Sequence, residues 1–175
     1  KNFTITNVKP PTEGIVSVQL SNTTNCEVTK CEGEIILIDS NNNSIYENSA
    51  KIITLSGSNY NEIFTNTIVE SGVCIKLYRS SNYNEIHGNI LLNSSTSPDA
   101  ESRNFSGKNT VGIQLGEGQL GGCQHNNVYG NNIVNHDVAI ESYGGLNNKI
   151  YSNNIANSNV GIILHYSDFN VISVS

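Results

Sequence analysis

Methionine and tryptophan are absent from this 175-residue chain, and lysine and arginine together number only nine. Those nine cations are scattered, so there is no basic stripe to follow a nucleic-acid backbone, and no nucleic-acid partner is expected. Net charge is −6. No apolar run approaches the ~20 residues that a membrane-spanning helix needs, so no membrane span is expected. No N-terminal signal segment is visible and the sequence starts at Lys1, as expected of a mature secreted protein or an excised domain. Stripes of strong helix formers are missing too, which argues against a helical bundle.

Asparagine is abundant instead, with 29 copies, and it is regularly placed. Asn-x-Ile or Asn-x-Val recurs at Asn43, Asn61, Asn84, Asn126, Asn148 and Asn170, with spacings of 18, 23, 42, 22 and 22. The 42 is two turns of about 22 with a loop inserted. A second asparagine follows each aliphatic residue by three, at Asn48, Asn66, Asn89, Asn131 and Asn153. A fixed period in this range is the signature of a solenoid. Within each turn, apolar and polar residues alternate at the period of β-strands.

The repeat sorts side chains into columns. One inward column reads Val28, Ile45, Ile63, Ile86, Val128, Ile150, Ile172. A second reads Leu20, Leu37, Leu55, Leu77, Leu115, Ser142, Leu164, and a third Ala50, Ile68, Leu91, Ile133, Ile155. Anchoring the first rung at Cys26-x-Val28 gives about seven coils, the first two shorter than the rest. Residues 1–13 read as a lead-in that forms a strand or a lid, and 14–175 as the solenoid. The asparagines are expected to form amide ladders at the corners, because an amide carries both a donor and an acceptor. Residues 94–110 are an insertion of the kind that usually carries function, and 116–125 is a shorter one.

The pattern Asn-x-Ile-x-x-Asn-x-Ile, in register over residues ~14–175, resembles right-handed parallel β-helix repeat proteins of the pectate-lyase-like superfamily. The resemblance implies an all-β, right-handed parallel β-helix and extracellular or cell-surface life with frequent carbohydrate contact. It does not choose among lyases, glycosidases, epimerases, tailspikes and surface proteins.

Chemistry is harder to find. Only three Asp lie in regular rungs (Asp39, Asp137, Asp168), at different positions, and paired facing carboxylates are not evident. The candidate catalytic residues are Lys76, Arg79 and His87 on the fourth rung, with Glu85 and Glu62 near His87: a base, a charge neutraliser and a nearby acid could support β-elimination from a uronate. A column of outward aromatics, Tyr46, Phe64, His87, Tyr129 and Tyr151, is a candidate glycan-contact surface, or a stack that stabilises the sheet. Asn2, Asn22, Asn42, Asn93 and Asn104 carry glycosylation sequons. Cys26, Cys31, Cys74 and Cys123 are disulfide candidates, Cys26 with Cys31 if the first rung bends and Cys74 with Cys123 across neighbouring coils, or are reduced core thiols. They form no metal-binding spacing, so no metal and no cofactor are expected, calcium entering only if the chain is a lyase.

The sequence therefore points to a structural or interaction β-helix of an extracellular surface or filament, in contact with glycans or with copies of itself head to tail. The alternatives are a polysaccharide lyase or epimerase acting on uronate polymers, and a viral tailspike segment, which would be trimeric.

Overall fold

A computed structural model of the chain describes residues 2–11, 16–69, 71–93, 110–117 and 122–173. The sequon at Asn104 and nearly all of the 94–110 insertion lie outside the described residues. Every named element is a β-strand, and all pairings are parallel. The chain is a right-handed parallel β-helix of the kind expected from its repeats.

Two sheets share the strands. The first contains β1 (Phe3–Thr6), β3 (Cys26–Thr29), β5 (Ser44–Tyr46), β7 (Glu62–Phe64), β10 (Glu85–His87), β13 (Asn127–Tyr129), β16 (Lys149–Tyr151) and β19 (Val171–Ser173), stacked in that order. Its register pairs Ile5 with Val28, then Ile45, Ile63, Ile86, Val128, Ile150 and Ile172, which is the inward column read from the sequence. The lead-in therefore contributes a strand in register with the stack.

The second sheet explains the short early coils. β2 (Val16–Ser21), β4 (Glu32–Ile38) and β6 (Ser49–Ser56) are single strands. From β6 onward the same path divides. Ser49 and Ala50 pair with β8 (Thr67–Val69), while Ile53 to Ser56 pair with β9 (Val73–Tyr78). The first branch continues through β11 (Ile90–Leu92), β14 (Asn132–Val134) and β17 (Asn154–Ala156). The second continues through β12 (Val111–Leu115), β15 (Val138–Tyr143) and β18 (Val160–His165). The extra residues of the longer coils thus make the corner between the two branches.

The core is aliphatic and continuous. Ile45, Ile63, Ile86, Leu37, Leu55, Leu77, Ile68 and Leu91 have no exposed surface. Each contributes about 1.5–3 kcal/mol through burial, and since no single coil encloses its own core, stacking is what creates it. The last coil is more open: Val160, Leu164, Val171 and Ile172 are each more than a third exposed.

Corners follow one rule. The residue before each ladder asparagine has a left-handed backbone: Asn42, Tyr60, Tyr83, His125 and Asn147 at one corner, Glu47, Thr65, Gly88, Gly130 and Ser152 at the other. The following asparagine turns inward and meets the backbone that the bend leaves unpaired. Asn43, Asn61, Asn84 and Asn126 donate their backbone N–H to the Oδ1 of the next asparagine at 2.8–2.9 Å. The second ladder does the same through Asn48, Asn66, Asn89 and Asn131 at 3.0–3.1 Å. The expected ladders therefore exist, and they bind mainly the protein's own main chain.

Candidate functional site

The aromatic column on the first sheet is a continuous stack. Tyr46–Phe64, Phe64–His87, His87–Tyr129 and Tyr129–Tyr151 have ring centroids 5.0, 5.4, 4.8 and 5.0 Å apart, all nearly parallel. Each ring covers its neighbours' faces, so the column offers ring edges and hydroxyls outward rather than open faces. Acidic side chains fringe it: Tyr46 donates to Glu27 at 3.2 Å, and His87 meets Glu62 at 3.0 Å. Burial, then the neighbouring charge of Glu85, pushes the Tyr129 hydroxyl above its ordinary range. A second stack, Tyr60–Tyr83–His125, runs along the left-handed corner positions.

The catalytic candidates separate. Lys76 lies on β9, in the second sheet, where Lys76 and Arg79 flank the ring of Tyr78 at 5.5 and 5.8 Å. Lys76 also pairs with Glu117 at 3.1 Å. His87 lies on β10, in the first sheet. Arg79 has a left-handed backbone, the geometry shared at that corner by Asp39 and Gly57. Beside Lys76, an open groove of about 430 Å³ is lined by Glu34, Lys51, Ile52, Ser71, Gly72 and Val73.

All four cysteines are buried free thiols. Cys26 and Cys31 occupy the ends of the two asparagine ladders, where their backbone N–H groups donate to Asn43 and Asn48 at 2.9 Å. Cys123 stands in a third ladder that has no counterpart in the asparagine repeat. Ser40 N–H donates to Ser58 Oγ and Ser58 N–H to Ser81 Oγ, both at 3.1 Å. Because Gln124 follows Asn82 in the adjoining column, Cys123 takes the position after Ser81. Burial pushes its thiol up to about 11.

Cys74 differs from the other three. Its Sγ lies 3.8 Å from Nε2 of His136, and both residues have no exposed surface. Cys74 is on β9, while His136 sits in the bend before β15, two strands along the branch with β12 between them. At the matching level β12 has Gly112, so no side chain intrudes there. A Cβ on Gly112 would come within 2.6 Å of both the Ala139 carbonyl and Ile133. Burial pushes the Cys74 thiol up to about 12 and lowers the His136 pKa, against the opposing pull of the Leu91 backbone and Asp137. His136 Nδ1 is buried without a partner in hydrogen-bond geometry.

A family model described as "Periplasmic copper-binding protein (NosD)" matches residues 2–110, more than half of the chain. The chain belongs to the NosD family. No curated protein matches the chain. The family's periplasmic description agrees with the extracellular or surface location expected from the sequence, and no helix among the described residues is long and apolar enough to cross a membrane.

NosD membership corrects one expectation. The absence of a cofactor, with calcium only for a lyase, conflicts with a family described as copper-binding. The spacing of the cysteines along the sequence shows no metal-binding pattern, and no group of three or more His, Cys, Asp or Glu able to hold a metal exists among the described residues. Copper in its reduced state needs less. It favours soft thiolate, accepts imidazole, and is stable with as few as two ligands. Metal–sulfur and metal–imidazole bonds of about 2.0–2.3 Å place two donors of one ion within about 4.4 Å of each other. The Cys74–His136 separation satisfies that limit, and the two facing atoms are a thiol sulfur and an imidazole nitrogen, the donor types that copper(I) favours. Among the described residues, Cys74 and His136 therefore fit copper(I). The matched segment includes Cys74 and ends before His136.

Proposed function

We propose that this chain is a rigid extracytoplasmic β-helix module that binds copper. Membership of the NosD family carries the reading, because a copper-binding family match covers most of the N-terminal coils. The fold suits the role: a stacked core with hydrogen-bonded corners holds side chains from different coils at fixed separations. Copper bound to the folded chain and not to the unfolded one also adds stability by mass action. The test is direct. The reduced chain, dialysed anaerobically against copper and analysed for bound metal, is expected to retain about one copper per chain. No retained copper overturns the reading.

A second reading concerns the groove beside Lys76. Two ammonium groups, Lys51 and Lys76, edge a floor that includes Ile52 and Val73. Cations over an apolar floor suit an acidic sugar, whose carboxylate and ring faces need both. Contact with uronate polymers is expected to weaken in Lys51→Ala and Lys76→Ala and to fall as salt rises. Equal binding by both variants removes the groove as the contact. Release of unsaturated uronate products, abolished in Lys76→Ala, would extend this reading to lyase chemistry.

A further inference from the structure

We infer that Cys74 and His136 together form a two-ligand copper(I) site inside the β-helix. The inference rests on the copper-binding reading and names the residues and oxidation state that reading leaves open. Two observations converge on the pair. A thiol and an imidazole lie 3.8 Å apart, a distance one ion can bridge. Both are fully buried, where a soft, singly charged ion bound to one thiolate makes a neutral unit and avoids the cost of an isolated charge.

The donor set also sets selectivity. Zinc takes four ligands and copper(II) prefers a tetragonal set, and two donors in an aliphatic core supply neither. The other histidine pairs, His87 with Glu62 and His165 with Glu141, are partly exposed and hold hard oxygen donors.

Binding is a simple exchange. A copper(I) ion delivered already reduced displaces the Cys74 proton to solvent, and the sulfur and the Nε2 lone pair become its ligands. No electron is transferred, and the thiol, imidazole and metal keep their oxidation states. The His136 ring must present Nε2 unprotonated, with the remaining proton on Nδ1.

The experiment uses the full chain, reduced and anaerobic, titrated with copper(I) against a chromogenic copper(I) chelator, with X-ray absorption on the loaded protein. One equivalent is expected to resist the chelator, with one sulfur and one imidazole nitrogen as scatterers. Cys74→Ser and His136→Gln are expected to lose at least tenfold in affinity, while His87→Gln and His165→Gln lose none. Circular dichroism confirms that each variant folds, and Cys74→Ser, the nearest in shape, keeps the test open if His136→Gln does not. If the wild-type chain retains no copper, the copper-binding reading falls with the site. Copper retained equally by Cys74→Ser, or absorption spectra without sulfur, overturns the site alone.

Discussion

Asn66 Oδ1 accepts two hydrogen bonds from Asn48, one from its backbone N–H at 3.1 Å and one from its side-chain Nδ2 at 2.9 Å. The Nδ2 of Asn66 then donates to the Ile45 carbonyl at 2.8 Å. One side chain with no exposed surface thus holds together the bends of neighbouring coils.

Removing it strands several buried groups at once. Asn66→Ala takes away the partner of the Asn48 backbone N–H, the Asn66 bond to the Ile45 carbonyl and one of the two bonds of Asn48 Nδ2, which keeps the Val28 carbonyl, and each buried group left unmet costs roughly 1–3 kcal/mol where water cannot enter. A loss of about 3 kcal/mol or more is expected in urea denaturation. Asn59, half-buried in the column it shares with Asn82 and Gln124, accepts one backbone bond from Asn82 at 2.7 Å and lies close to water, so Asn59→Ala is expected to cost about 1 kcal/mol. Equal losses at the two positions would show that corner burial is not what makes the Asn66 ladder matter.

The aromatic column predicts a stabilising role. Tyr129 stacks on both His87 and Tyr151, and aromatic pairs contribute about 0.5–1.5 kcal/mol each beyond area. Tyr129→Ala is expected to cost about 1–3 kcal/mol, and Tyr46→Ala, with one stacked neighbour, about half of that. Denaturation midpoints of the two variants measure the ratio. Equal small losses would mean that the stack is incidental.

Much of the fold was legible in the sequence because one physical rule fixes it. A coil that must bury the same columns in every turn repeats its apolar residues in register, and Ile45, Ile63 and Ile86 declare that register directly. The left-handed corner positions were not legible. Tyr60, Tyr83, His125 and Asn147 share a backbone conformation and no side-chain chemistry. The serine ladder was hidden for a related reason: Ser40, Ser58 and Ser81 look like ordinary loop serines, and Cys123 interrupts the residue type while keeping the position. The Cys74–His136 pair is 62 residues apart in the chain and spans two steps of the stack, with the 94–110 insertion between them, so no local motif announces it. The expectation of no cofactor conflicts with the family's copper-binding description, and it was drawn from spacing along the chain.

Burial of all four thiols predicts their silence. A thiol reagent added to the native chain is expected to label none of them, since the reagent needs an accessible thiolate. In denaturant without reductant, four are expected to react. Rapid native labelling of one thiol would locate a local opening. Fewer than four in denaturant would reveal a disulfide.

Alkaline pH separates the thiols further. Burial raises the Cys123 thiol to about 11 in the folded chain from an ordinary value of 9.0. A group whose pKa is raised by folding contributes its stability fully below the unfolded pKa and loses it as pH rises through the folded one. Above pH 9 the unfolded chain releases the Cys123 proton and the folded chain does not, so stability falls from about pH 9 to about pH 11. A shift of two units corresponds to about 2–3 kcal/mol. Cys74, raised to about 12, adds a loss over a window reaching one unit higher. Cys123→Ser removes the first contribution and restores a hydroxyl to the position after Ser81, so the variant is expected to hold more of its neutral-pH stability at pH 11. Urea midpoints measured at pH 8 and pH 11 give the comparison. An unchanged pH dependence in Cys123→Ser would show that the Cys123 thiolate forms without opening the coil.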